Sequence, residues 1–264
     1  MPVVDSHCHV SRSWYEPVET LLFQMGQAGV DAAILIQMMG QTDNSYQFDC
    51  VRRYPGRFAS VVIVDADRPD TEDAVRRVVD QGASGIRLRA TQRSTGDDPL
   101  AIWRVAAARS LPVSCIGSAA DFAAEEFVRL VETVPDLTIV IEHLGSLKYT
   151  DHAMVTSDAV QRIIGLAQYP NVFMKLPGLG EFCRRLMPAA EPFPFEEPIP
   201  PYLEMAYQAF GSHRLMWGSD YPPVSSREGY RNALAFPRAH FASKSSEERE
   251  LIFGGTAAAV FTIP

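Results

Sequence analysis

Two histidines one residue apart, His7 and His9, are the first groups in the chain able to do chemistry together. They lie near the end of a short apolar run. Strand side chains alternate faces, so both imidazoles project to one side and Cys8 to the other. Such a pair can hold one metal ion through its ring nitrogens; on an arbitrary strand it is as readily two hydrogen-bonded polar residues. Two further groups tip the balance towards chemistry. Asp220 ends the run Leu215-Met216-Trp217-Gly218-Ser219-Asp220 and is followed by Tyr221-Pro222-Pro223, a carboxylate where a strand gives way to a loop. His143 ends Ile139-Val140-Ile141-Glu142-His143, and alternation groups it with Ile139 and Ile141.

Cations form a second set. Arg87 and Arg89 share one face of Gly85-Ile86-Arg87-Leu88-Arg89, with Arg93 in the loop beyond. Guanidinium groups so placed can clamp a substrate carboxylate. The competing role is a salt bridge to carboxylates on neighbouring strands or helices. Lys occurs only at Lys148, Lys175 and Lys244, and Lys175 is expected to form an ion pair. Tyr149 and His152 follow the sixth apolar run, in a loop within reach of a substrate. Asp5 is expected on His7's face, one layer deeper, as support.

These groups need a scaffold that brings distant runs to one place. Eight short apolar runs cover Val3–Val10, Ala32–Met38, Ala59–Val64, Gly85–Ala90, Pro112–Ile116, Leu137–Leu144, Asn171–Leu176 and Leu215–Asp220. Most read as strands buried on both faces. Amphipathic stretches lie between them: Val18, Leu21, Leu22 and Met25 follow helical spacing, as do Phe127, Leu130, Val131 and Val134. Asp98-Pro99 reads as a helix start, and Ser245 with Glu248 as a capping box. This alternation predicts a single α/β domain over residues 1–264, a (β/α)8 TIM-type barrel. In a closed barrel the eighth strand neighbours the first, and His7, His9, His143 and Asp220 meet at one mouth. His213, ahead of the eighth strand, is then expected at the opposite end. A doubly wound open sheet is the competing fold, but no GxGxxG or P-loop follows any of the runs.

Residues 179–201 break the rhythm. Pro188, Pro192, Pro194, Pro198, Pro200 and Pro201 exclude a continuous helix there. A Pro-rich insertion after the seventh strand leaves from the active rim, which makes it a possible lid insertion or a rigid excursion.

Composition removes other function classes. The net charge of −8 repels nucleic acid and anionic membranes. Cys8, Cys50, Cys115 and Cys183 form no CxxC pair, consistent with a reducing, cytoplasmic setting. No apolar run is long enough for a membrane span, and the chain starts with no basic leader.

The combination Val4-Asp5-Ser6-His7-Cys8-His9, Glu142-His143-Leu144-Gly145 and Trp217-Gly218-Ser219-Asp220-Tyr221-Pro222 resembles the amidohydrolase superfamily. Phe253-Gly254-Gly255-Thr256-Ala257-Ala258 is similar to its C-terminal helix entry. The likeness is to the branch with sugar lactonases, muconolactone-type hydrolases and pyrone-dicarboxylate lactonase. It implies that His7, His9 and Asp220 bind a divalent metal (Zn or Mn) or substrate, with His143 beside them and Asp220 as general base. Many members also carry a bridging Lys or Glu on strand four and a His on strand five. Here those strands offer Arg87, Arg89 and Cys115, so one metal ion is expected rather than two. Pyrone-dicarboxylate lactonase works without metal, so a metal-free mechanism stays open. That enzyme holds its substrate's carboxylates with arginines from this strand and loop, which resemble Arg87 and Arg93.

The expected activity is opening of a carboxylated lactone by activated water. The alternatives are non-oxidative decarboxylation of an aromatic or muconate carboxylate and, more remotely, a non-catalytic binding protein. A small-molecule substrate, no nucleic acid, no membrane and a possible homo-oligomer complete the expectation.

Overall fold

The structure is a computed structural model and describes residues 1–66, 70–148 and 158–263. Tyr149 and His152 lie outside the described residues. Eight parallel strands run in the order of the chain: β1 (Val4–Cys8), β2 (Ala32–Ile36), β3 (Phe58–Val62), β4 (Gly85–Arg89), β5 (Val113–Ile116), β6 (Ile139–Ile141), β7 (Val172–Leu176) and β8 (Leu215–Trp217). Helices alternate with them, giving the (β/α)8 barrel. All eight runs become strands; the late ones shorten because their last residues turn out to build the mouth.

The seam between β1 and β8 is closed just beyond β8. The Asp220 amide donates to the His7 carbonyl at 2.8 Å, and the His9 amide donates to the Tyr221 carbonyl at 2.7 Å. Gly218 permits this approach, since a Cβ there would lie 2.7 Å from the His7 Cβ.

Two apolar layers hold the barrel. The outer one packs strand residues such as Leu35, Leu88 and Met174 against helix stripes including Leu21, Met25, Phe127 and Leu130. The inner one stacks Ile34, Val61, Val140 and Met216, and Phe261 from the C-terminal helix Thr256–Phe261 packs into it. Above this apolar plug, alternation turns Arg87, Ser114 and Lys175 inward, because Ile86, Leu88, Val113, Cys115, Met174 and Leu176 belong to the outer layer.

The helix expected to start at Asp98-Pro99 begins at Ala101; Asp98 instead accepts from the Leu100 amide at 2.9 Å, one turn ahead. The Ser245–Glu248 capping box forms as read. Residues 179–201 fold into an irregular hairpin in which Arg185 pairs with Phe195, and Phe195 packs on Phe236 at 5.3 Å. Among the described residues no helix is long and apolar enough to cross a membrane.

Candidate active site

Each functional side chain reaches the mouth by a local departure from regular structure. In β1 the register shifts between Asp5 and Cys8. Val4 belongs to the inner layer and Cys8 to the outer one, so the irregularity, rather than simple alternation from Val4, carries His7 and His9 inward. Asp5 does not share His7's face. It accepts from the Tyr230 hydroxyl at 2.9 Å, the Ser219 hydroxyl at 2.6 Å and the Ser219 and His7 amides at 2.8 and 3.1 Å. Its support for His7 therefore runs through the backbone.

His143 arrives differently from the alternation reading. Strand β6 ends at Ile141, and His143, Leu144, Gly145 and Ser146 take φ of 53°, 52°, 66° and 59°. A non-glycine residue in this left-handed region costs about 1–2 kcal/mol, and such cost is tolerated where surrounding contacts enforce it. Here the Ser146 hydroxyl donates to the Gly117 carbonyl at 2.7 Å, and a Cβ on Gly145 would lie 2.7 Å from Ile163. Ile139 and Ile141 face the outer layer. The left-handed turn redirects His143 from that face into the mouth. Asp220 also has positive φ, 58°.

The result is one cluster. His7, His143 and Asp220 each offer a ligand atom, and those atoms lie within 4.8 Å of one another. His9 stands beside them with its Nε2 3.4 Å from Asp220 Oδ1, and His7 Nε2 is 3.7 Å from the same oxygen. The four residues expected to meet do meet.

The proton positions bear on a metal. His9 Nδ1 lies 2.7 Å from the Ile36 carbonyl, to which it donates, so Nε2 is left as an acceptor facing a carboxylate oxygen. Two acceptors that close call for a proton or a cation between them. His7 Nε2 is buried without a hydrogen-bond partner. Burial, then the charge of Lys175, holds the His7 pKa well below its usual value, which keeps a neutral, ligating imidazole. Lys175 Nζ lies 3.1 Å from His7 Nδ1 and donates to the Ser114 hydroxyl at 2.8 Å. While Lys175 donates, the His7 proton sits on Nε2. Burial lowers the Lys175 pKa to about 8, so after losing a proton to solvent Lys175 could accept a hydrogen bond from Nδ1 were Nε2 to serve as a ligand. The donor set fits one divalent ion held by His7, His143 and Asp220, with His9 adjacent. Cys115 is not placed to add a further ligand, since it belongs to the outer apolar layer and faces away from the mouth.

Beneath the imidazoles lies a charged layer. Arg87 donates to both Glu142 oxygens, at 3.0 and 2.7 Å, and to the Gln37 carbonyl at 2.8 Å. Ser114 donates to Glu142 at 2.6 Å. The Arg87 guanidinium, expected as a substrate clamp, is thus already paired. Lys175, expected in an ion pair, joins this layer through Ser114. Arg93 donates to its own loop's carbonyls, at 3.2 Å to Ala90 and 2.8 Å to Gln92. Arg89 does face the mouth, lining a cavity of about 660 Å³ with Lys148, His143 and Asp220. Neither Arg89 nor Lys148 has an acidic partner among the described residues.

One group escaped the sequence reading. Arg227, beyond Asp220, donates to Asp220 Oδ2 at 2.9 Å and pairs closely with Glu181. Glu228 next to it accepts from the Gly180 amide at 3.0 Å, and side chains on Gly178 or Gly180 would collide with it. The loops after β7 and β8 are stitched through these contacts. Burial pushes the Asp220 pKa up, but the adjoining His9 and His143 imidazoles and the Arg227 charge outweigh it and hold the carboxyl well below its usual range. Only an acidic residue in the Pro-rich segment and an arginine just past the motif hinted at this. His213 sits at the other end of the barrel beside Pro112 and Phe173, as expected.

The amidohydrolase family model matches residues 4–263. An L-fucono-1,5-lactonase from Burkholderia ambifaria is 28% identical over 251 residues, covering 86% of this chain and 82% of that protein. An uncharacterised protein from Sinorhizobium fredii is 32% identical over 143 residues, 53% of this chain; the match spans 43% of that relative's length. Among solved structures, a candidate 2-pyrone-4,6-dicarboxylic acid hydrolase from Pseudomonas putida superposes with a TM-score of 0.76 at 21% identity, covering 99% of this chain and 98% of that one.

Proposed function

The chain belongs to the amidohydrolase family and is a hydrolytic enzyme; from that premise we propose that it is a lactonase, opening a carboxylated lactone by attack of water activated by Asp220. The observation that carries this reading is the convergence of the Asp220 carboxylate with three imidazoles, in a mouth shared with two cations that pair with no acid among the described residues. The lactonase relative and the pyrone-dicarboxylic acid hydrolase fold neighbour agree with it.

In this reading Arg89 and Lys148 hold the substrate carboxylate and turn the lactone carbonyl towards His143. Asp220 Oδ2 is held by Arg227, which leaves Oδ1 to accept a proton from water as its oxygen bonds the carbonyl carbon. When the tetrahedral intermediate collapses, the ring C–O bond breaks and Asp220 returns that proton to the leaving alkoxide or enolate. His9 lines the mouth with His143 and Asp220, and the buried His7 backs Asp220 Oδ1 at 3.7 Å. His7, His143 and Asp220 would hold a divalent ion, which would supply carbonyl polarisation and make water more acidic, an aid to a base as weak as this Asp220.

A pH-indicator screen of carboxylated lactones, with and without chelator, tests the proposal. Ring opening is expected to release acid without carbon dioxide, with chelator lowering the rate and added Zn²⁺ or Mn²⁺ restoring it. Stoichiometric carbon dioxide would assign the site to decarboxylation instead.

Arg227 has its own expected effect. Arg227→Met removes a charge-assisted bond worth about 1.5–3 kcal/mol, so kcat should fall roughly 10- to 100-fold with KM nearly unchanged. Steady-state kinetics check this; a change confined to KM would mean that Arg227 binds substrate rather than positions the base.

A further inference from the structure

The mouth has two lobes that share His143, Asp220 and Ile116 as their common wall. One is the cavity of about 660 Å³ that contains Arg89 and Lys148 together with Asp121, Glu181 and Asp220. None of these acids pairs with Arg89 or Lys148: Asp121 accepts from the Ser118 amide and hydroxyl, both at 2.8 Å, and Glu181 and Asp220 both pair with Arg227. The other, of about 360 Å³, is lined by Trp14, Tyr15, Met38 and Met39. Arg87 also reaches it, but Glu142 neutralises that charge.

The second lobe carries an aromatic series running outward from the reacting groups. Tyr15 lies 5.6 Å from the His9 ring, and Trp14 lies 5.9 Å from Tyr15. Trp14 is 65% exposed, whereas Trp103 and Trp217 are fully buried. Packing within the fold does not account for a large ring left in water at this place. Met38 and Met39 add a soft, adaptable apolar surface to the same lobe.

Resting on the hydrolase reading above, we infer that the substrate is two-ended: a flat apolar ring, aromatic or conjugated, enters the Trp14 lobe and an anionic group enters the Arg89–Lys148 lobe. The scissile carbonyl then lies at the shared wall, beside His143 and Asp220. Trp14 and Tyr15 select for the ring, and Arg89 and Lys148 select for the charge.

Calorimetric titration of the wild-type enzyme with 3-phenylpropanoate, propanoate and gluconate tests this, because none of these acids has a bond that the enzyme opens. Phenylpropanoate is expected to bind roughly tenfold tighter than propanoate or gluconate, the scale of an aromatic pair, and to change the emission of the exposed Trp14. Trp14→Ala should abolish the preference for the ring, while Arg89→Met should weaken both propanoate and phenylpropanoate. Gluconate binding as tightly as phenylpropanoate, or a ring preference that survives Trp14→Ala, would overturn the inference. These readouts do not depend on turnover. A preserved ring preference with no lactone opened would therefore sink the lactonase reading alone, and lactone opening without ring preference would sink the two-ended substrate alone.

Discussion

Asp220→Asn is expected to lower kcat by about 10²- to 10⁴-fold, the range a positioned general base contributes, while the protein remains folded. The substitution is chosen for the backbone. Asp220 sits at φ 58°, and Asn is one of the few other residues that visits this region readily, so the variant removes the charge without forcing the turn to change. Arg227 can still donate to the amide oxygen, and the Asp220 amide can still donate to the His7 carbonyl. What disappears is the negative charge that faces His7 and His9 at 3.7 and 3.4 Å. Zinc affinity, measured separately by competition with a chromogenic chelator, should fall with it. Unchanged turnover on the best lactone would show that another group accepts the proton.

The largest stability effect is expected from Arg87→Met. Arg87 and Glu142 are 4% and 1% exposed and bonded in two places. Removing one partner of such a buried pair costs about 3–5 kcal/mol, because the other charge stays behind uncompensated. At about 2–4 °C per kcal/mol for a domain of this size, the melting temperature should drop by roughly 6–20 °C. Replacing both partners, as in Arg87→Met with Glu142→Leu, should recover much of the loss, and failure to recover would place the cost in packing rather than charge.

The pair also sets a pH dependence whose sign follows from Glu142. Burial raises its pKa, but the charges of Arg87 and Lys175 and the Arg87 hydrogen bonds bring it from 4.5 down to about 2. A folded-state pKa below the unfolded one means that the unfolded chain takes up the proton first. The stabilisation is therefore complete above about pH 4.5 and is lost as pH falls towards about 2. In Arg87→Met this acid-side slope should flatten, which melting curves between pH 2 and pH 6 would register at about half-unit steps.

Much of the architecture was legible because its signals are local. Strand runs such as Ala32–Met38 are continuous and apolar, and the stripe Val18, Leu21, Met25 has helical period; neither needs knowledge of a partner. The mouth residues were legible for a similar reason, since each ends its own run. Alternation failed where the backbone itself was irregular. It gave Asp5 the face of His7 and explained His143 by parity, whereas a register shift in β1 and a left-handed turn after β6 set those directions. It also could not assign Arg87 a partner 55 residues away, nor foresee that Arg227 would join Asp220 to Glu181 across 46 residues.

By itself, then, the sequence determined the eightfold βα alternation and which imidazoles and carboxylate end apolar runs, since hydrophobic period and residue type are properties of a single segment. Tertiary structure alone decided which charges are spent and which are free. Glu142 occupies Arg87, Glu181 and Asp220 share Arg227, and Arg89 faces the mouth unpaired by any described acid. Availability of a charge depends on what the closed barrel brings within about 3 Å of it, a distance that no spacing along the chain encodes.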